Sequence, residues 1–143
     1  GYLAGYPMVG VKATLVDGSY HPVDSSEMSF KLAANVAFKN AMEGASPVLL
    51  EPIVKLTAKV PEANTGDIMG DLNKRRGRVL GMNPAGKGMS SVEAEVPMSE
   101  IGDFTTVLRS MTQGRGVYSM EPSHFAEVPK SIQEQIITAR AKN

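Results

Sequence analysis

The sequence predicts an α+β fold that consists of a short strand–helix unit, a larger sheet-and-helix sandwich and a final helix. Strand-like alternation of apolar residues, apolar residues at helical spacing, and glycine or proline between these segments are the observations that predict it. From residue 48 onward the predicted order is strand, helix, strand, strand, helix, strand. That order favours two helices on one face of a four-stranded antiparallel sheet.

The first unit begins with a predicted strand over residues 8–16, where apolar and polar side chains alternate. Asp24 followed by Glu27 is a capping-box pattern, and it predicts a helix over about residues 25–43. That helix is apolar on most sides, and one strand cannot cover it. We therefore expect the first unit to be incomplete, with upstream strands missing or with a later segment packing on it.

The C-terminal helix is the predicted later segment. Residues 129–143 start with a proline and place Ile132, Ile136 and Ile137 on one side. An amphipathic helix needs an apolar partner, so we expect it to pack back on the first unit. The chain starts without methionine, which favours a piece of a longer protein.

The middle of the chain supplies the elements of the sandwich. The predicted strands cover residues 53–60, 78–82, 89–96 and 117–120, and the predicted helices run from Asn64 or Thr65 to Arg75 and from Ser99 to about Met111. Residues 83–88 are a predicted turn. This is the topology of a ferredoxin-like sandwich, and the predicted domains are residues 1–46, 47–128 and 129–143.

Composition restricts the classes of function. Lys plus Arg and Asp plus Glu are 15 each, so contact with nucleic acid must be local. The chain has no cysteine and no apolar run of roughly 20 residues, which favours a cytoplasmic protein without disulfides or a membrane span. No spacing typical of a metal site, catalytic set or phosphate loop is present, so we expect no metal and no enzyme activity in these residues.

Two groups of residues are candidate contact sites. Tyr20, His21 and Pro22 lie at the predicted strand-to-helix corner, where they form either an ordinary loop or a stiff binding tip. The basic candidates are either solvated helix ends and structural arginines, or contacts to phosphate. They are Lys74, Arg75, Arg76 and Arg78, and, around the turn at residues 112–114, Arg109 and Arg115.

Several motifs resemble one family of translation factors. In the first unit they are Leu3-Ala4-Gly5-Tyr6-Pro7, Val11-Lys12, Thr14-Leu15, residues 17–21 and residues 23–27. In the second they are residues 47–52, Gly70-Asp71-Leu72-Asn73, Arg75-Arg76-Gly77, Leu108-Arg109-Ser110, Thr112-Gln113-Gly114-Arg115 and Ser119-Met120-Glu121. With these motifs, the chain resembles the C-terminal part of the elongation factor G family.

The resemblance implies a structure and a role. It implies the end of the S5-like fourth domain, then the ferredoxin-like fifth domain, with the C-terminal helix packed on the fourth. It also implies that Tyr20, His21 and Pro22 contact tRNA and mRNA in the decoding region, and that the basic residues are candidate rRNA contacts. The implied partners are the ribosome, with rRNA and ribosomal protein near the factor-binding site, and tRNA–mRNA; a monomer is expected. GTP and Mg²⁺ belong to the parent chain.

Some positions depart from the family pattern. Residues 101–105 read Ile-Gly-Asp-Phe-Thr where a more aromatic Phe-Gly-Tyr pattern is expected, and Phe125 stands at a usual tyrosine position. A paralogue is therefore an alternative to the main translocase: a second translocation-like factor, or a relative that acts in ribosome recycling or tetracycline protection. A second alternative rests on topology, since ferredoxin-like domains also serve as small-molecule-binding regulatory modules.

Overall fold

The structure, a computed structural model, describes residues 1–142 and confirms the predicted α+β fold class. Its helices are α1 (Glu27–Gly44), α2 (Thr65–Lys74), α3 (Phe104–Thr112) and α4 (Lys130–Ala141). Its strands are β1 (Leu50–Pro61), β2 (Arg78–Gly86), β3 (Met89–Pro97) and β4 (Val117–Glu127). Within the described residues, none of the helices is long and apolar enough to cross a membrane.

The chain divides into two compact units. The sandwich unit comprises Leu50–Glu127. The tip unit comprises Gly1–Leu49 together with the C-terminal segment that begins at Val128. The C-terminal helix α4 thus belongs to the same unit as the first 49 residues.

The sandwich unit contains one antiparallel sheet with the strand order β2-β3-β1-β4. The two strands that flank α2, β1 and β2, are therefore not neighbours in the sheet, and neither are β3 and β4, which flank α3. This is the ferredoxin-like arrangement. The strands are longer than the alternation predicted: β1 begins at Leu50, β2 continues to Gly86 beside a tight hairpin at Lys87 and Gly88, and β4 continues to Glu127. Lys87 and Gly88 have positive φ angles, 55° and 73°; glycine adopts such an angle without strain, whereas it is uncommon for lysine.

The core of the sandwich unit lies between one face of the sheet and the two helices α2 and α3. Leu56 of β1 and Val92 of β3 are fully buried there. Phe104 of α3 packs edge-to-face on Tyr118 of β4, with 4.9 Å between ring centroids. Fully burying each large apolar side chain contributes about 1.5–3 kcal/mol, so this layer holds the helices on the sheet.

The other face of the sheet is polar. Strand register places Arg78 opposite Glu95, Glu95 opposite Lys55, and Lys55 opposite Glu121. Directly opposed residues share one face, so positive and negative charges alternate across the four strands. The row of Arg78, Glu95, Lys55 and Glu121 therefore has no net charge and does not form a basic surface.

The start of α3 corrects a prediction. Ser99 does not cap a helix, because residues 98–100 form a separate short 3₁₀ turn. The helix starts after Asp103, whose side chain makes no capping bond to the backbone. The carboxylate accepts a hydrogen bond from Arg75 instead, so it does not accept from the N–H groups of the first helical turn.

Helix α1 of the tip unit begins later than the capping-box pattern predicted. Ser26 is the N-cap, and its Oγ accepts a hydrogen bond from the Ser29 backbone N–H at 3.1 Å. Asp24 has no part in this cap, and Glu27 instead forms an exposed ion pair with Lys31 at 2.8 Å. The prediction of an Asp24–Glu27 capping box was wrong, since a serine nearer the helix supplies the acceptor.

The predicted strand over residues 8–16 is not formed, although all of these residues are described. Their side chains are exposed, Leu15 to 91%. A strand is held by hydrogen bonds to a neighbouring strand, and the described part of the tip unit contains no such partner. The apolar side chains of α1 are uncovered for the same reason, with Met28, Phe30, Leu32 and Val36 all more than half exposed.

Helix α4 contacts the first residues of the chain. The Arg140 guanidinium lies 3.8 Å from the centre of the Tyr6 ring and donates a hydrogen bond to the Ala4 carbonyl oxygen at 2.9 Å. The three isoleucines that formed the predicted apolar side are half-buried. Asn143, the last residue of the predicted helix, lies outside the described residues.

Candidate functional site

The candidate tip is a tight turn just before α1. The His21 carbonyl oxygen accepts hydrogen bonds from the backbone N–H groups of Asp24, at 3.1 Å, and Ser25, at 2.8 Å. Pro22 occupies the second position of the turn, which suits its fixed φ and its missing N–H. The turn therefore closes on local bonds without help from another element.

The backbone of His21 is fully used inside this turn. Its N–H donates to Ser25 Oγ at 2.9 Å, and its carbonyl oxygen accepts from the Asp24 and Ser25 N–H groups. Because His21 itself is exposed, the imidazole ring is the part of the residue that is left to meet a partner. An imidazole can stack on a nucleobase or donate to phosphate and ribose oxygens.

Tyr20 fixes the loop to α1. Its ring stacks on Phe30, with 6.4 Å between centroids and 23° between planes, and it stays 66% exposed. Val23 is 94% exposed in the same turn, next to His21 and Pro22. Tyr20, His21 and Pro22 are consecutive and lie in one exposed loop, and their contact with RNA stays a prediction. Val23 and Ser25 belong to the same turn and do not stand out in the sequence.

Arg75, one of the predicted basic contacts, is buried in the sandwich unit. Its side chain is 9% exposed and bonds to Asp71 at 2.7 Å, to Asp103, and to the Glu100 carbonyl oxygen at 2.7 Å. The guanidinium also lies 5.4 Å from the centre of the Phe104 ring. Burial opposes its charge, but the hydrogen bonds to Asp103 and Asp71 outweigh burial and raise the pKa of Arg75 above its ordinary value.

Arg76 forms a second ion-pair group beside it. Two of its nitrogens bond to the Glu51 carboxylate, at 2.7 and 2.9 Å, and a third bonds to Glu100 at 3.2 Å. The hydrogen bonds to Glu51, partly opposed by burial, raise the pKa of Arg76. Its φ is +58°, an uncommon conformation that its three bonds hold in place.

These two arginines connect three elements of the sandwich unit. They join the end of α2 to the start of β1 through Glu51 and to the start of α3 through Asp103. The hydrogen bond from Arg75 lowers the pKa of Asp103, so that carboxylate is charged at neutral pH. The geometry gives Arg75 and Arg76 a structural role, and their contact with RNA stays a prediction.

The other four basic candidates are exposed and lie at two ends of the helix layer. Lys74 ends α2, near the Arg75–Asp103 contact, and Arg78 pairs with Glu95 at 3.5 Å. Arg109 and Arg115 lie at the end of α3, which an Asn64–Met111 hydrogen bond of 2.9 Å places beside the start of α2. The six predicted residues therefore do not form one patch.

The turn that carries Arg115 is held by two hydrogen bonds of the Thr112 hydroxyl. The Thr112 hydroxyl donates to the Leu108 carbonyl at 2.7 Å and accepts from the Gly116 N–H at 2.8 Å. A Cβ at Gly116 would lie 2.8 Å from Thr112 Oγ1, so this position needs glycine. Thr112 and Gly116 were not identified as functional by the sequence analysis, because their role depends on this close approach.

The described residues offer little for a metal or a polar ligand. No group of three or more His, Asp or Glu side chains within residues 1–142 has the geometry of a metal site. An open groove of about 400 Å³ lies in the sandwich unit, beside Ile53, Met98, Met120 and Phe125. Its lining is mainly apolar, with the bonded pair Ser123–His124 among its few polar groups.

Comparison with known proteins identifies both units. Residues 1–46 match the family description "Elongation factor G, domain IV", and residues 48–136 match "Elongation factor G C-terminus". An "Elongation factor G-like protein" from Thermotoga maritima is 54% identical over 142 residues, which is 99% of this chain and 21% of that protein.

A solved structure extends the similarity to the fold. A crystal structure of a protein from Thermus thermophilus superimposes with a TM-score of 0.83 and 47% sequence identity. The match covers 100% of this chain and 22% of the solved chain. This chain therefore spans about a fifth of the length of both relatives.

Proposed function

Because the chain belongs to the elongation factor G family, we propose that it is the ribosome-binding part of a ribosome-dependent GTPase that promotes tRNA–mRNA translocation. In this proposal the tip unit enters the decoding region of a cytoplasmic ribosome, where Tyr20, His21 and Pro22 contact tRNA and mRNA. The sandwich unit braces against rRNA and ribosomal protein near the factor-binding site. The factor acts as a monomer.

The observation that carries the proposal is the free imidazole ring of His21 at an exposed and internally bonded turn. Both backbone polar groups of His21 are engaged within the loop. A ring on a stiff support can contact RNA without first ordering the loop, which lowers the entropic cost of binding. The neighbouring Val23 adds an exposed apolar surface to the same turn.

The sandwich unit supplies candidate phosphate contacts at its edges. Lys74, Arg109 and Arg115 are exposed, and none of them is in an ion pair within the described residues. Cations in this state gain most from approaching rRNA phosphates, because they lose no internal partner. Arg75 and Arg76 instead keep the strands and helices that carry these cations in place.

GTP hydrolysis is assigned to another domain of the parent protein. The sequence contains no Gly-rich phosphate loop with Lys and Ser or Thr, so these residues do not fit GTP and Mg²⁺. The tip then blocks return of the tRNA–mRNA pair after movement, while hydrolysis elsewhere biases the equilibrium between ribosome states. If the tip acts on movement and another domain hydrolyses GTP, changes in the tip should slow tRNA–mRNA movement more than GTP hydrolysis.

The test replaces residues 20–23 of the full-length factor with Gly-Ser-Gly-Ser. We expect mRNA movement, followed by a fluorescent mRNA in rapid mixing, to slow at least about tenfold, since this removes contacts of about 1.4 kcal/mol or more. Ribosome-stimulated GTP hydrolysis should stay within about twofold. Normal movement in this variant would refute the proposed role of the tip.

Three further assays separate the alternatives. A paralogue that acts in recycling would split ribosomes with a recycling partner without accelerating movement, and a tetracycline-protection relative would restore translation in the presence of the drug. A regulatory module would show a rise in melting temperature with a specific amino acid or nucleotide. The groove at Met98 and Met120 is the place for such a ligand, but its few polar groups provide little specificity.

A further inference from the structure

Ser25 makes a reciprocal pair of hydrogen bonds with His21. The Ser25 Oγ accepts from the His21 N–H at 2.9 Å, and the Ser25 N–H donates to the His21 carbonyl oxygen at 2.8 Å. Ser25 is half-buried, whereas His21 and Val23 are exposed. Ser25 is also separate from the helix cap, which Ser26 provides through its bond to the Ser29 N–H.

We infer that Ser25 is a positioning residue that sets the direction of the His21 ring, an inference that rests on the proposed role of the tip. The bond to Ser25 Oγ restrains the backbone N–H of His21, and the bonds from Asp24 and Ser25 restrain its carbonyl. With both backbone groups held, rotation about the residue's own side-chain bonds is the main freedom left to the ring. Removing Oγ frees the N–H to bond with water, so it loosens the turn at little cost to the fold.

The test measures single-round mRNA movement with four variants of the full-length factor: Ser25→Ala, Ser25→Thr, His21→Ala and the double variant of Ser25→Ala with His21→Ala. We expect Ser25→Ala to slow movement about three- to tenfold, as expected for losing one hydrogen bond. Ser25→Thr keeps the hydroxyl and should restore at least about half of the wild-type rate. In the His21→Ala background, Ser25→Ala should cause no further slowing, because its effect passes through the ring.

Ser29→Ala is the matched control, because its hydroxyl hydrogen-bonds to Ser26 Oγ in the same segment rather than to His21. We expect its movement rate to equal that of the wild type. Hydrogen exchange of α1 should be the same in Ser25→Ala and wild type, which separates loosening of the turn from loss of the helix.

The outcomes distinguish this inference from the function on which it rests. If His21→Ala alone leaves movement unchanged, the proposed role of the tip fails. If His21→Ala slows movement but Ser25→Ala does not, or if the two effects multiply in the double variant, the positioning role of Ser25 is overturned. Failure of Ser25→Thr to restore the rate also overturns it.

Discussion

Replacing His21 with alanine in the full-length factor is expected to slow tRNA–mRNA movement about 5- to 150-fold, while GTP hydrolysis on the ribosome stays within about twofold. The range corresponds to losing one stacked or hydrogen-bonded contact of about 1–3 kcal/mol with RNA. The loss is confined to movement because the structural bonds of His21 come from its backbone, which alanine retains. Rapid mixing with a fluorescent mRNA measures the movement rate, and phosphate release measures hydrolysis.

His124→Ala is the matched control for this variant. His124 is the second of the two histidines in the chain and is likewise exposed, but it lies on β4 of the sandwich unit and bonds to Ser123 at 2.9 Å. We expect wild-type movement for His124→Ala. A slow His124→Ala together with a normal His21→Ala would place the important contact outside the tip.

Replacing Arg75 with alanine is expected to destabilise the sandwich unit by about 3–5 kcal/mol. The change leaves the Asp71 carboxylate, 12% exposed, without its cation, and leaves the Glu100 carbonyl without its donor. Breaking a buried pair by removing one partner has a cost of this size, because the remaining charge stays desolvated. The exposed bond to Asp103 contributes little of the total. Hydrogen exchange of the buried β1 and β3 amides measures the change in the sandwich unit itself.

Arg109→Ala provides the comparison for Arg75→Ala. Arg109 is an exposed arginine on α3 in the same unit and has no ion pair among the described residues, so we expect its stability change to stay within about 0.5 kcal/mol. If Arg75→Ala were as mild as Arg109→Ala, the buried pairs would not hold the sandwich unit together. Arg75 would then be available for the RNA contact that the sequence suggested.

The sandwich unit was predictable because its signals are local and mutually consistent. Alternation in β1 and β3 marks the buried positions Leu56 and Val92, and helical spacing in α3 marks Phe104 and Leu108. These patterns depend only on which side chains face the core. The strand ends were less accurate, since β1 begins at Leu50 and β4 continues to Glu127, where pairing with a neighbour rather than composition sets the limit.

The predictions were wrong where the structure of a segment depends on a partner that is distant in sequence. Residues 8–16 alternate like a strand, yet hydrogen bonds to a second strand are needed to hold one, and alternation cannot supply them. Arg75 and Arg76 are a basic pair in sequence. Only Asp71, four positions from Arg75, is a nearby acidic partner, whereas Asp103 and Glu51 lie 28 and 25 positions away. A basic side chain with no acidic neighbour in sequence can thus form an ion pair with an acidic side chain that the fold brings next to it.

At the tip, the sequence indicates the candidate contact residues but not the hydrogen bonds that hold them. Tyr20, His21 and Pro22 could be singled out because an aromatic residue, a histidine and a proline lie together before a helix. The contribution of Ser25 could not be predicted, because there are four serines from residue 19 to residue 29. Only the structure shows which serine hydroxyl accepts a hydrogen bond from the His21 N–H. Likewise, Asp24 fits a capping pattern, but Ser26 supplies the cap.

The most direct test of the tip's placement is photo-crosslinking from position 23. Val23 is 94% exposed beside His21, so a photoreactive amino acid there reports what the tip touches with little effect on packing. The full-length factor carrying this residue would be stalled on ribosomes with a non-hydrolysable GTP analogue and irradiated. We predict crosslinks to tRNA, mRNA or small-subunit rRNA of the decoding region. Crosslinks confined to the large subunit, or none on bound ribosomes, would contradict the account.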